Sequence, residues 1–317
     1  MQQLRIVFAG TPEPAVPSLE RLVASGHEVV AVVTRPPAPL GRKRVLTPSP
    51  VAQAAERLGV HVIDAARLDA DATGRIAALR PDLGVIVAYG GLVREPLLST
   101  PAHGWINLHF SLLPAWRGAA PVQHALIAGD EETGAAVFRL VPELDAGDVY
   151  ATTRRPVAPG ETAGQLLDSL AHDGAELLAS VVDGIADGTA MAVPQQGEPT
   201  FAPKLTIDDA RLDWTQPVAA VDARFRGVTP EPGAHTEVDG VRVKVLEARI
   251  ADEAPDAAAP APASGRTPGV VRLDAKRVLV SAADGDLELV RVQPAGRTAM
   301  PAADWWRGLG VAQAVAR

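Results

Sequence analysis

The amino-acid sequence predicts an α/β chain: a mostly parallel, doubly wound sheet followed by a smaller, β-rich domain. Three observations carry this. In the first half, near-continuous apolar runs alternate with segments of helical periodicity, the pattern of parallel strands covered on both faces. At residues 191–202 the texture changes to Pro, Gln and Gly. Beyond it, strand-like runs are punctuated by Asp239-Gly240 and Asp284-Gly285, which are hairpin-type turn signals. A length of 317 residues also favours two domains, at roughly 100–200 residues each. The expected division is 1–190, a linker at 191–208, and 209–317.

Each element has its own reason. Leu4–Ala9, Glu28–Thr34 and Leu83–Tyr89 are apolar runs of strand length, and Val60–Ile63 is a shorter one. Trp105–His109 and Ala136–Val141 read as further strands. Helices are expected around Pro17–Ser25, Val51–Leu58, Asp71–Leu79 and Pro121–Ala128. Over Ala163–Asp183, Leu166, Leu170, Leu177 and Val181 recur at helical spacing, extended by Leu167 and Leu178, so a long packing helix is expected. A short helical stretch follows Ile207, then strands at Val241–Ile250 and within Val270–Val292. Trp305-Trp306 marks a final helix that docks through its indoles. Ala251–Pro268 is nearly all Ala, Pro, Asp, Glu, Ser and Gly; it lacks the apolar side chains to pack and reads as an exposed loop.

Composition narrows the function. A hydrophobic fraction of 47% with 21% charged residues is that of a globular protein able to build a core. The absence of cysteine removes disulfides, thiolate nucleophiles and zinc–thiolate sites. No pair of histidines has the spacing of a helical zinc site, so no metal is expected. The N-terminal apolar run is too short for a signal peptide, and no run approaches the ~18–20 apolar residues that span a bilayer. A cytoplasmic protein without membrane association is expected. The net charge of −8 leaves no global basic footprint, so contact with nucleic acid would need a local patch. Arg42, Lys43 and Arg44 form one after the second strand; composition alone reads them as a solvated run.

The informative stretch is Trp105–Pro121. In a strand alternate side chains share a face, so Asn107 and His109 point one way while Ile106 and Leu108 point the other. Two polar groups at the carboxyl end of a buried strand lie where doubly wound sheets bind ligands. An Asn amide and an imidazole can both donate to the oxyanion of a tetrahedral acyl intermediate. A carboxylate can take the proton shed by an attacking amine, and Asp145 in Leu144-Asp-Ala-Gly-Asp148 is the candidate. A buried histidine beside a serine is more often a satisfied core residue, so the trio needs the longer motif. A Ser111–His109–Asp145 hydrolase is disfavoured, since no Gly-x-Ser-x-Gly elbow exists and Ser111 is too near His109 in sequence. Gly10-Thr-Pro-Glu-Pro14 lacks the Gly-x-Gly-x-x-Gly of a dinucleotide site.

The longer motif is present. Phe8-Ala-Gly-Thr-Pro12, Val87-Ala-Tyr-Gly90, Ile106-Asn-Leu-His109, Ser111-Leu-Leu-Pro114, Trp116-Arg-Gly-Ala-Ala-Pro121 and Leu144-Asp-Ala-Gly-Asp148 together resemble the methionyl-tRNA formyltransferases over nearly the whole chain. Asp209-Ala-Arg-Leu-Asp-Trp214 and Gln293-Pro-Ala-Gly296 extend the resemblance into the second domain. The Asn-x-His, Ser-Leu-Leu-Pro and Asp pattern is common to folate-dependent formyltransferases in general. The Trp116–Pro121 run and the second domain favour the tRNA enzymes.

The resemblance implies a Rossmann-like formyltransferase domain and a C-terminal, OB-like open β-barrel that helps hold tRNA. It implies 10-formyltetrahydrofolate as formyl donor and charged initiator tRNA as acceptor. Asn107, His109 and Asp145 match the catalytic trio, Ser111, Leu112, Leu113 and Pro114 the folate-contacting turn, and Arg42, Lys43 and Arg44 a tRNA-engaging insertion. A monomer is expected. The sequence departs from the family at Thr229-Pro-Glu-Pro232, where Asn-Pro-Trp-Pro is common, and at Phe110, where a smaller residue is common. Rivals are a sugar or glycinamide formyltransferase, a formyl-folate hydrolase, and a non-catalytic RNA-binding protein.

Overall fold

The computed structural model describes residues 2–41, 43–252 and 267–317. Arg42 and most of the Ala/Pro-rich stretch expected as a loop (253–266) lie outside the described residues. The chain divides into two compact units. One comprises Met1–Pro121, Glu132–Pro156 and Leu167–Pro203; the other comprises Val122–Glu131, Val157–Leu166 and Lys204–Arg317.

The first unit runs β1 (Arg5–Gly10), α1 (Val16–Val23), β2 (Glu28–Thr34), a hairpin of β3 (Ala38–Leu40) and β4 (Val45–Thr47), α2 (Pro50–Leu58), β5 (Val62–Asp64), α3 (Ala70–Ala78), β6 (Leu83–Val87), β7 (Trp105–His109) and β8 (Arg117–Gly118). The chain then enters the second unit with α4 (Pro121–Ala128) and returns to the first with β9 (Glu132–Arg139), β10 (Val149–Pro156), α5 (Ala163–Ala186; in this unit from Leu167) and β11 (Phe201–Ala202). The main sheet has the order β10-β9-β7-β6-β1-β2-β5. Its central pairs are parallel, while β9 and β10 extend it antiparallel. β6 is buried along its whole length, which is why it reads as an unbroken apolar run. β10 escapes that criterion: at the sheet edge it is half exposed and carries Arg154 and Arg155.

Local chemistry sets the helix ends. Ser49 accepts from the Ala52 amide to cap α2, Pro50 fills the first turn, and Gly59 ends the helix at φ +70°. Asp69 caps α3 in the same way through the Ala72 amide. α5 buries Leu166, Leu170, Leu178 and Val181 of the expected stripe; Leu167 and Leu177 lie at its half-buried margin. Gly174 of α5 brings that helix against Leu108 of β7. The 191–202 stretch is not a free tether. Val193 exchanges both backbone hydrogen bonds with Val149, and β11 pairs in parallel with β8.

β7 is fixed beside β6 by a size match. Gly84 lies opposite Trp105, and a Cβ on Gly84 would overlap the indole ring. The buried indole Nε1 donates to the Leu97 carbonyl at 2.9 Å.

The second unit carries α6 (Val218–Gly227), β12 (His235–Val238), β13 (Val241–Ile250), β14 (Val270–Asp274), β15 (Arg277–Ser281), β16 (Asp286–Pro294), β17 (Met300–Pro301), α7 (Ala302–Leu309) and β18 (Gln313–Val315). Its antiparallel sheet has the order β12-β13-β16-β15-β14-β18, with β17 on β16. The Glu237 and Arg317 backbones exchange hydrogen bonds, and Val238 bridges Ala316, so the sheet curls into a nearly closed barrel. Trp214, Phe225, Trp305 and Trp306 fill its core, the last two on α7 as the sequence suggests.

Substitution of Gly84 by Ala is expected to force Trp105 aside and to cost about 1–3 kcal/mol. A lower urea midpoint at unchanged slope would show it; an unchanged midpoint would mean the indole is not seated on Gly84.

Candidate active site

The carboxyl ends of β1, β6 and β7 open onto a cavity of about 780 Å³. This is the switch point of the sheet, because β1 has β2 on one side and β6 on the other. The cavity is lined by Pro12 after β1, residues 88–93 after β6, Asn107–Phe110, Arg117–Ala119, residues 140–145 after β9, and Phe201 and Pro203. Its size falls within the range of roughly 300–1,000 Å³ usual for small-molecule sites.

Asn107, His109 and Asp145 all line it, so the structure brings together the three residues singled out in sequence. Asn107 and His109 share a strand face, held between Ile86 of β6 and Phe138 and Ala136 of β9. The Asn107 Oδ1 is buried without a hydrogen-bond partner. A buried amide oxygen left unsatisfied is costly, and at a cavity wall it is a place for a donor from a ligand or a water.

His109 is 5% exposed and stands edge-on to Phe138, with ring centroids 6.3 Å apart at 86°. Its Nε2 lies 2.9 Å from the Trp116 carbonyl. A carbonyl only accepts, so Nε2 carries the hydrogen and Nδ1 is free to take one. Nδ1 faces Asp145 Oδ2 at 3.8 Å. Burial holds the imidazole below the ordinary histidine value of 6.5; the Asp145 carboxylate and the Trp116 carbonyl oppose the shift without cancelling it.

Asp145 is itself buried, and its backbone is left-handed at φ +46°, a strained conformation for a residue with a Cβ. Its Oδ2 accepts from the Gly118 amide at 2.8 Å. Two residues on, a side chain at Gly147 would overlap the Arg139 carbonyl, so the loop is drawn tightly against the end of β9.

The other sequence candidates lie elsewhere. Ser111 is fully buried and donates its hydroxyl hydrogen to the Ala115 carbonyl at 2.6 Å, closing the turn after β7. Leu112 packs near Gly134, Leu113 packs on the Phe138–Val149 cluster, and Pro114 leads to a carbonyl bonded by Thr200 N. None of the four lines the cavity; the neighbouring Phe110 does. Lys43 and Arg44 are exposed at the tip of the β3–β4 hairpin, beside exposed Leu40, Val45 and Leu46. Among the described residues, no group of three or more His, Cys, Asp or Glu is placed to hold a metal ion. No described helix is long and apolar enough to cross a membrane.

Two residues of the site carry no signal as isolated letters. Arg117 lines the cavity, and Gln195, behind the lining, accepts a hydrogen bond from Arg117 out of the Pro/Gln-rich stretch. Arg117 sits within a motif that marks the family resemblance, which could have nominated it. Gln195 has no local pattern to mark it.

A polar trio at the switch point of a doubly wound sheet, over a cavity of this size, defines a group-transfer enzyme of the acyl-handling kind. A family model described as formyl transferase matches residues 4–182, and one described as formyl transferase, C-terminal domain, matches 204–310. The chain is 63% identical over 307 residues to a methionyl-tRNA formyltransferase of Leifsonia xyli subsp. xyli, covering 97% of this chain and 98% of that one. It is 60% identical over 315 residues to that of Clavibacter sepedonicus, covering 99% and 100%. The chain belongs to the methionyl-tRNA formyltransferase family.

Solved structures share the fold at lower identity. An N-formyltransferase from Helicobacter canadensis, in complex with folinic acid and dTDP-3-aminofucose, superposes with a TM-score of 0.68 at 15% identity over 90% of this chain and 99% of that one. HypX from Aquifex aeolicus in complex with tetrahydrofolic acid gives 0.60 at 18% over 97% and 47%.

The His109 titration has a defined direction. A nuclear magnetic resonance titration is expected to place it below the ordinary value, and Asp145→Asn to move it lower still, because the carboxylate that favours the charged ring is gone. An upward move in Asp145→Asn would contradict the assignment.

Proposed function

We propose that this protein transfers the formyl group of 10-formyltetrahydrofolate to the α-amino group of methionyl-initiator tRNA. The single observation that carries the chemistry is the convergence of Asn107, His109 and Asp145 on one cavity. The acceptor rests on the family to which the chain belongs. Both partners follow from it, and the protein acts as a monomer in the cytoplasm, with 209–317 as its tRNA-binding domain.

The geometry supports the following course. The folate lies in the cavity between the loops 88–93 and 140–145, with its formyl group toward Asn107. The Ser111–Pro114 turn, assigned to folate by resemblance, shapes the end of β7 from which Asn107 and His109 project. The methionyl amine attacks the formyl carbon, a carbon–nitrogen bond forms, and the carbonyl oxygen becomes an anion. Asn107, which lines the cavity, turns its side-chain N–H toward that oxygen and stabilises it, while its buried, unpartnered Oδ1 accepts from a ligand donor such as the attacking amine.

The amine nitrogen must then lose a proton. His109 is neutral at pH 7 because it is buried, and its Nδ1 is open, so it can accept the proton. The resulting imidazolium donates toward the new oxyanion or toward Asp145, whose carboxylate stabilises the charge from 3.8 Å. Collapse of the intermediate breaks the bond to N10 of the folate, and the same proton leaves with that nitrogen. No electron is gained or lost, and the products are formyl-methionyl-tRNA and tetrahydrofolate.

The test is to supply 10-formyltetrahydrofolate with charged initiator or charged elongator methionine tRNA and follow formyl-methionine. Formylation of the initiator alone is expected; formylation of neither would move the acceptor to a small amine or water. Asn107→Ala is expected to cut turnover by at least tenfold, and by roughly a hundredfold if Asn107 is an oxyanion donor. Near-normal turnover would remove it from that role.

Arg42, Lys43 and Arg44 are proposed to engage tRNA phosphates. Neutralising Lys43 and Arg44 together is expected to weaken tRNA use and flatten its salt dependence by roughly 0.7–0.9 for each phosphate no longer neutralised, with folate binding spared. An unchanged salt slope would mean the hairpin tip is solvent-facing only.

A further inference from the structure

Gln195 plays no part in the chemistry above, yet its side-chain amide is engaged on both sides. Its Nε2 donates to the Asp145 carbonyl and to the Gly147 carbonyl, each at 2.8 Å. Its Oε1 accepts from Arg117 Nε at 3.2 Å and Nη2 at 2.6 Å. We propose that Gln195 is a positioning residue of the formyl-transfer site: it holds the loop that presents Asp145 to His109, and Arg117 fixes the orientation of its amide.

An amide side chain can usually turn over and exchange its oxygen and nitrogen. Here it cannot. A guanidinium only donates, so the amide oxygen must face Arg117. The two carbonyls only accept, so the nitrogen must face them. The four contacts are complementary in one orientation and opposed in the other.

The arrangement also closes a circuit. The Gly118 amide holds the Asp145 carboxylate at one end, and the neighbouring Arg117 holds Gln195, which holds the Asp145 backbone at the other. Both ends of the aspartate are therefore referred to β8, the two-residue strand that β11 pairs with. A left-handed residue such as Asp145 needs this kind of over-determination, because its backbone has an easier conformation to relax into. Without Gln195, the carboxylate is free to drift from its place beside the imidazole.

The inference rests on reading His109 and Asp145 as the proton-handling pair. The charged groups that share the cavity wall with the imidazole are Asp145, Arg117 and Glu143. Of these, Asp145 favours the protonated ring. Drift of Asp145 should therefore lower the His109 titration and carry the acid limb of the pH–rate profile to lower pH.

The experiment uses the full chain with Gln195→Leu, Gln195→Asn and Gln195→Glu. Gln195→Leu deletes the amide, Gln195→Asn stops it one methylene short, and Gln195→Glu sets an oxygen against two carbonyls. Gln195 is half-buried in an irregular segment, where such changes are tolerated. Turnover, KM for both substrates, pH profile and melting temperature are measured for each.

The expected result is a fall in kcat of roughly tenfold to a hundredfold, KM values within about twofold, and an acid limb displaced downward. Gln195→Asn should recover little, since the carbonyls are out of its reach. Two results overturn the proposal: wild-type kcat and acid limb in any folded variant lacking the amide, or losses that follow melting temperature alone with the limb unmoved. Should the wild-type protein formylate neither tRNA, the functional reading fails on its own. The His109 titration of wild type against Gln195→Leu then decides the positioning role, a downward displacement supporting it and an unchanged value overturning it.

Discussion

The site depends on the seating of Trp105 against Gly84. Side chains in a strand alternate, so a slip of one residue between β6 and β7 would turn Asn107 and His109 toward α5 and put the Ile106 and Leu108 side chains where the two polar ones now stand. The indole occupies the space that a Cβ on Gly84 would fill, and its Nε1 is tied to Leu97. That single steric match sets which face of β7 is polar. On the other side, β9 confirms the register by pairing Phe138 with Asn107 and Ala136 with His109. The polar face of β7 is thus specified by packing well away from the polar atoms themselves.

Given that register, the electrostatics follow from burial. A histidine set among Phe138 and strand backbone is kept neutral by desolvation, which leaves it able to receive a proton. The neighbouring carboxylate limits how far the value falls and waits to stabilise the charged ring. Neither group alone would suit the proposed proton transfer. An isolated buried imidazole would resist protonation too strongly, and an exposed one would be solvated and weakly directed. Asp145 sits on a loop strained enough to need external hydrogen bonds, so its placement depends on Gly118 and Gln195.

Much of this was legible in sequence, and the reasons are physical. Parallel strands buried on both faces leave unbroken apolar runs, so β1, β2, β6 and β7 announce themselves. Period-two logic puts Asn107 and His109 on one face without any structure. The edge strand β10 was hidden because one side faces water and its arginines break the run. The folding of 191–202 against the first unit was hidden for a different cause. Its contacts run from Gln195 to Arg117 and Asp145 and from Thr200 to Trp116, and no local periodicity encodes partners so far away. The buried hydroxyl of Ser111 likewise shows how a motif residue can shape a turn while its own polar atom is turned inward.

That distance along the chain orders events in time. All strands of the first unit's main sheet have been made once Pro156 is synthesised, whereas Phe201–Ala202 emerge more than forty residues later. At ribosomal speeds of about 5–20 residues per second, that is a delay of roughly 2–9 s. A nascent chain can therefore possess its sheet, its cavity floor and the side chains of Asn107, His109 and Asp145 while the segment whose Gln195 bonds the Asp145 carbonyl is still being translated. The hydrogen bonds that hold Asp145 from this side come only after the sheet is complete, arriving with a stretch of Pro, Gln and Gly that looks, letter by letter, like a spacer.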